Sequence, residues 1–420
     1  MERDADISPY DRMLWAEGEL EQALASGARR RDVQAYLGDA EYQLLVPLAQ
    51  AAARAPRDPA CCVHLIPGIM GSQLGVLRAP GEPADLLWVD PQDVQRGRLR
   101  ELALGNDRIV SLGAVFYSYL SLKLRLEAAG FTVCWFDYDW RRGVEEVGAL
   151  LAARLNTQPV RRHLLVGHSL GGLVARAALA KAAGRIARIV TLGTPHAGSY
   201  APLQALRGSY VSVRRIVQLE PRLSTEELTQ SVFAHFPSLY QMLPPTMSSP
   251  DLRDPAQWPQ SLPRPPTELL GQIGRLVLPA PHGEVLCVAG VGFETVSHVA
   301  REGEEFRYFT DCEGDGTVTR YSATLPGQDA WYTHTLHGEL PRDARVADTV
   351  AELLHDGRSV LLPRSPPATA SITRSITDTQ LRSVCAEKLN WPQFTPAERR
   401  AYFESLNAPV AAGSYLGTDP

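Results

Sequence analysis

The segment 163–178 constrains the fold of this chain more than any other. The apolar run His163-Leu164-Leu165-Val166 leads into Gly167-His168-Ser169-Leu170-Gly171-Gly172, and Leu173, Val174, Ala177 and Ala178 follow at helical spacing. Strand, G-x-S-x-G, helix is an order that makes a sharp turn with a serine at its apex. Glycine flanks the serine because side chains there would hold strand and helix apart. The turn presents Oγ at the carboxyl edge of the sheet that holds the strand, the edge where such sheets bind ligands. A chance match in a Gly-rich turn is the bland alternative. The strand and helix on either side favour a nucleophile.

The rest of the chain supplies that sheet. Cys61-Cys62-Val63-His64-Leu65-Ile66, closed by Pro67-Gly68, reads as a buried strand. A helical pattern follows over 113–129, then a strand over 131–136 and a helix over 144–156. After the 163–166 strand and the 170–183 helix, 186–192 is a strand ending in Gly193-Thr194-Pro195. This alternation predicts an α/β fold, a mostly parallel sheet with helices on both faces. Strands at 285–289 and 332–335 and a helix at 343–355 complete the core.

Four regions result. Residues 1–58 are an N-terminal helical extension, with Met13, Leu20 and Leu24 and then Tyr42, Leu45, Leu48 and Ala52 at helical spacing and Asp39 as an N-cap. Residues 59–198 and 283–360 form the core. Residues 199–282 are too long and too proline-rich for a loop, and they start on the serine's edge of the sheet, so they are expected to be a cap. Residues 361–420 are a linker rich in Ser, Thr and Pro over 363–380, then a tail. In that tail Thr395-Pro396-Ala397-Glu398 forms a capping box before a helix with Tyr402, Phe403 and Leu406.

Composition closes off several functions. With 42 basic and 47 acidic residues the net charge is −5, which gives no basic field for nucleic acid. No run of 18 apolar residues is present to span a membrane. The start, Met1-Glu2-Arg3-Asp4-Ala5-Asp6, lacks a charged-then-apolar leader pattern, so a cytoplasmic protein is expected. In that compartment Cys61, Cys62, Cys134 and Cys287, within apolar runs, read as buried free thiols. Cys312 and Cys385 complete the set, and no C-x-x-C pair offers a zinc site.

A serine nucleophile needs a base and an orienting acid, in the chain order Ser, acid, His. Downstream histidines are His196, His235, His282, His298, His334, His337 and His355. Glu313-Gly314-Asp315-Gly316-Thr317-Val318 offers Asp315 in a tight turn, and His337 follows a strand and precedes a helix. Both then lie on loops at the serine's edge. His334 competes as the base, but its place in a strand favours His337. A calcium loop through Asp311, Glu313 and Asp315 fails at position 12, which is Ser322. The pair His334 and His337 as metal ligands has no evident partners. The oxyanion donors must be backbone N–H groups, one from Leu170 and one from Pro67-Gly68-Ile69-Met70-Gly71-Ser72.

With these residues in place, the chain resembles the lecithin:cholesterol acyltransferase-like family of α/β-hydrolases. The resemblance rests on His64-Leu65-Ile66-Pro67-Gly68-Ile69-Met70-Gly71-Ser72-Gln73-Leu74, Trp88-Val89-Asp90-Pro91, Tyr138-Asp139-Trp140-Arg141, the serine turn, Gly193-Thr194-Pro195-His196-Ala197-Gly198-Ser199 and Gly314-Asp315-Gly316-Thr317-Val318, in that order over about residues 61–356. It implies an α/β-hydrolase fold with a helical lid over 199–282. It also implies a triad of Ser169, Asp315 and His337, and oxyanion donors at Met70 and Leu170. Thr319 stands where the family usually has proline.

The expected activity is hydrolysis of carboxyl esters of lipids through an acyl-enzyme on Ser169, with no cofactor and no metal. Acyl transfer from a phospholipid to an alcohol uses the same residues. An interaction module on a hydrolase scaffold is the third reading, and the intact nucleophile, acid and base weigh against it. Phe236, Leu239 and Met242 of the cap are expected to line an acyl-chain cleft. Through the cap the protein is expected to touch a membrane surface transiently.

Overall fold

The computed structural model describes residues 10–11, 14–16, 18–160, 162–245, 250–278, 284–368, 373–384, 387–395, 398–399 and 402. The expectations placed on Met13, His282, Cys385, Pro396, Ala397, Phe403 and Leu406 lie outside the described residues.

The strands are β1 (Cys61–Ile66), β2 (Ser72–Val76), β3 (Asp85–Trp88), β4 (Ile109–Ala114), β5 (Thr132–Trp135), β6 (Arg162–His168), β7 (Ile186–Leu192), β8 (Glu284–Gly290), β9 (Phe293–Glu302), β10 (Glu305–Gly314), β11 (Ala330–Thr333) and β12 (Arg374–Thr377). The central sheet runs β11-β8-β7-β6-β1-β5, and every pairing in it is parallel. All six strands therefore end at one edge, and that edge carries the site. Both faces are covered, which is why its strands read as near-continuous apolar runs. Leu165, Ile189 and Val285 pack with the helices Val144–Thr157 and Leu170–Ala182 on one face. Leu164, Val166, Val190 and Val288 pack with Phe116–Ala128 and Ala344–Asp356 on the other.

The N-terminal helices Glu19–Ser26, Arg30–Leu37 and Asp39–Arg54 share the second of these cores, through Leu20, Leu24, Tyr42 and Leu45. Lys123 fixes them further: its buried Nζ lies 2.7 Å from Glu21 and 2.9 Å from Glu127. Asp39 is not the N-cap expected of it. Gly38 takes that position, and Asp39 instead accepts a hydrogen bond from Gln34 at 3.1 Å.

Two small antiparallel sheets, β3-β2-β4 and β12-β10-β9, flank the main one. The first shortens the helix expected over 113–129, which starts at Phe116 because residues through Ala114 pair with β2. The second overturns the linker expected over 363–380. β12 pairs with β10, and Asp378 behind it is fully buried. Its carboxylate meets Arg207 of the cap at 3.0 Å, Tyr308 of β10 at 2.7 Å and Ser209 at 3.2 Å. Beyond it, Lys388 donates to the carbonyls of Val217 and Leu223 in the cap. Ser- and Thr-rich composition marked the segment as solvated, but Ile376, Thr377 and Asp378 within it are buried. No helix among the described residues is long and apolar enough to cross a membrane.

Candidate active site

β6 ends at His168, and the helix after it begins at Leu170. Ser169 stands between them at φ 53, a left-handed conformation that a non-glycine residue holds only where its surroundings enforce it. The flanking glycines are enforced by contact. A Cβ on Gly167 would come within 2.6 Å of Gly172, and one on Gly171 within 2.1 Å of the Ile66 carbonyl. Leu170 is the first residue of its helix, so its N–H has no intrahelical acceptor and faces the turn. Its side chain lies in the core.

Asp315 and His337 come from different strand ends and meet. Asp315 follows β10, is fully buried, and its Oδ1 accepts hydrogen bonds from the backbone N–H groups of Thr317 (3.0 Å) and Val318 (2.7 Å). Its Oδ2 accepts from His337 Nδ1 at 2.8 Å. The His337 N–H also donates to the Asp315 carbonyl at 2.9 Å, so the two loops are joined twice. With Nδ1 carrying the proton, Nε2 is left as the basic atom. Ser169 and His337 line the same cavity. Gly193 sits against this pair: a Cβ there would lie 2.8 Å from Asp315 Oδ2 and 3.0 Å from His337 Nδ1.

His334 is placed elsewhere. β11 ends at Thr333, two residues earlier than the sequence suggested, so His334 lies past the strand. Its ring stacks on Phe293 with centroids 4.4 Å apart, and Nδ1 donates to the Val291 carbonyl at 3.0 Å. The carboxylates of the rejected calcium loop go to separate partners. Asp311 accepts from the Glu313 N–H, and Glu313 pairs with Arg320.

Facing Ser169, the turn after β1 carries Met70 at φ 63. Several motif residues that the sequence offered without a chemical role hold this turn. Trp88 Nε1 donates to the Met70 carbonyl at 3.1 Å, and Tyr138 Oη to the Pro67 carbonyl at 2.7 Å. Trp140 Nε1 donates to the Ser72 carbonyl at 3.0 Å. Arg141 is buried and bridges Asp139 to the carbonyl of Leu102. Their signal in the sequence was aromatic donors clustered in two short motifs; their target could be seen only in the fold.

The cavity holds about 160 Å³ and lies between this edge and the cap. Phe236, Leu239 and Met242 all line it, as do Tyr210 and Phe233, while Leu203, Leu206, Tyr240 and Leu243 pack within the protein. Trp88 and Trp140 line it too, and the Trp140 ring meets Phe236 edge-on with centroids 5.8 Å apart. No Asp, Glu, Lys or Arg is among the described residues lining it.

The chain has the α/β-hydrolase fold. The family of the PGAP1-like alpha/beta domain matches residues 145–233, a stretch from the helix before β6, through the serine turn, into the cap. Among solved structures, the chain is similar to the Bacillus licheniformis lipase BlEst2. In the propeptide form of that lipase the identity is 16% over 75% of this chain and 54% of that one, with a TM-score of 0.38. In the mature form it is 17% over 71% and 94%, with a TM-score of 0.35. The chain thus spans about half the length of the propeptide-form lipase. No curated protein matches the sequence.

Proposed function

We propose that the protein is a serine hydrolase of the esterase and lipase type, acting on carboxyl esters with an apolar acyl chain. The observation that carries this reading is the 2.8 Å hydrogen bond from His337 Nδ1 to the buried Asp315, with Ser169 on the same cavity. His337 Nε2 takes the proton from Ser169 Oγ as Oγ attacks the ester carbonyl. The oxyanion forms between the N–H groups of Met70 and Leu170. His337 then passes the proton to the leaving alcohol, which departs and leaves an acyl-serine. Water, deprotonated by His337, releases the acid and restores Ser169. The motif order shared with the lecithin:cholesterol acyltransferase-like family supports the assignment of these residues. In this reading the uncharged, aromatic-rich wall of the cavity takes the acyl chain, and Phe236, Leu239 and Met242 contact it.

A fluorophosphonate probe tests the assignment. Wild type should be labelled on Ser169 and should hydrolyse p-nitrophenyl esters, and Ser169→Ala should do neither while melting at the same temperature. Ser169→Ala retaining more than a few per cent of turnover would sink the mechanism. Product analysis with added alcohol separates hydrolysis from acyl transfer on the same acyl-enzyme.

A further inference from the structure

A second chain of hydrogen bonds crosses the site, beside the bond between Asp315 and His337, and ends on the His337 backbone. The Gly68 N–H donates to Tyr119 Oη at 2.9 Å. Tyr119 Oη lies 2.9 Å from His168 Nδ1, and His168 Nε2 lies 3.0 Å from the His337 carbonyl oxygen. The two ends fix the direction of every bond. A backbone carbonyl can only accept, so His168 carries its proton on Nε2 and donates it there. Nδ1 is then an acceptor, and Tyr119 gives it the hydroxyl proton. Tyr119 and His168 are both buried. Burial first, and then the nearby His337, hold His168 well below the usual histidine range, in keeping with a neutral ring.

The chain joins three loops that must keep their spacing. It begins in the oxyanion turn, passes through the residue before Ser169, and ends on the peptide carbonyl of the base. The packing around it is close. A Cβ on Gly68 would lie 3.0 Å from Ser169 Cβ and 3.2 Å from His168 Nδ1, and one on Gly71 would lie 2.7 Å from Tyr119 Oη. The His168 and His337 rings are 4.9 Å apart between centroids.

We propose that Tyr119 and His168 are positioning residues, which set the distance between the oxyanion turn and the His337 base by tying both to the serine turn. The proposal rests on the assignment of Ser169, Asp315 and His337 above. Neither residue moves a proton in the reaction. Each acts through the backbone it holds, and a displacement of about 1 Å in such a site costs on the order of 100-fold in rate.

The two imidazole nitrogens allow the role to be separated from simple space-filling. An asparagine amide reaches the place of Nδ1, so His168→Asn keeps the link to Tyr119 and loses the one to His337. A glutamine amide reaches the place of Nε2, so His168→Gln keeps the link to His337. With turnover counted per fluorophosphonate-labelled serine, His168→Asn should lose about 100-fold in kcat, and His168→Gln about tenfold or less. KM for a short p-nitrophenyl ester should stay within about twofold in both. Tyr119→Phe keeps the ring and removes the hydroxyl, and should lose kcat at constant KM while remaining folded. Ser169→Ala runs beside them: if it stays active, the reading of the triad has failed. If Ser169→Ala is dead and all three variants keep kcat within twofold per labelled serine, the positioning role is overturned. It is equally overturned if His168→Asn and His168→Gln lose the same activity, or if losses follow melting temperature alone.

Discussion

Replacing Asp315 by asparagine tests the acid through the geometry of its two oxygens. Oδ1 receives two backbone N–H groups, from Thr317 and Val318, and Oδ2 receives His337 Nδ1. An asparagine of the same shape has one oxygen and one NH₂. Turned with NH₂ toward Thr317 and Val318, it sets donor against two donors at 2.7–3.0 Å. The oxygen therefore stays on the backbone side, and NH₂ faces Nδ1. His337 must then accept at Nδ1 and carry its proton on Nε2, the atom that takes the proton of Ser169 in the proposed mechanism. The wrong tautomer and the lost carboxylate charge together cost about 10⁴ in kcat in a comparable triad, or about 5.4 kcal/mol of barrier. Because each polar group keeps a partner, the fold should hold. The assay is kcat on p-nitrophenyl butyrate and the rate of fluorophosphonate labelling, with the melting temperature as control. An Asp315→Asn protein that melts like wild type and keeps more than a tenth of the activity would refute the orientation argument.

Asp378→Ala strands the fully buried Arg207 guanidinium, and breaking such a pair costs about 3–5 kcal/mol; a urea titration that shows under 1 kcal/mol of loss would mean that the C-terminal segment does not clamp the cap. Met242→Ala should lower kcat/KM for a long-chain p-nitrophenyl ester about tenfold more than for the acetate, since each buried CH₂ is worth about 0.8 kcal/mol; equal losses on both esters would remove the cap from acyl recognition. Stability should fall as the medium becomes acidic. His64 and His196 are each pushed down to about 3, by burial first and then by His163 and Arg154 for His64 and by Arg176 for His196. The unfolded chain takes up these protons near pH 6.5, so the folded state keeps its full advantage above that pH and loses it progressively toward about pH 3, by up to about 1.4 kcal/mol per unit per histidine. Urea midpoints that stay flat from pH 7.5 to 5, in wild type and in His64→Gln alike, would contradict this.

The serine turn and the strand and helix alternation of the core could be read from the sequence, which also offered Asp315 and His337 as the candidate acid and base. Each is encoded within a few residues: glycines packed against one backbone crossing, apolar runs of strand or helix length, and an acid in its own tight turn. The hydrogen bond between Asp315 and His337 needed the fold, since β8, β10 and β11 bring their ends together only in the assembled sheets. The sequence placed His334 in a strand, and the strand turned out to end one residue before it. Residues 363–380 looked like linker because polar composition normally means solvent. Tertiary structure reversed that reading by setting Arg207, distant in sequence, against Asp378. Tyr119 and His168 have no periodicity or spacing that marks them, because their partners are 49 to 169 positions away. Local patterns report what a residue's near neighbours need. Which buried donor meets which acceptor depends on how the sheet, the cap and the C-terminal segment pack, and only the tertiary structure decides that.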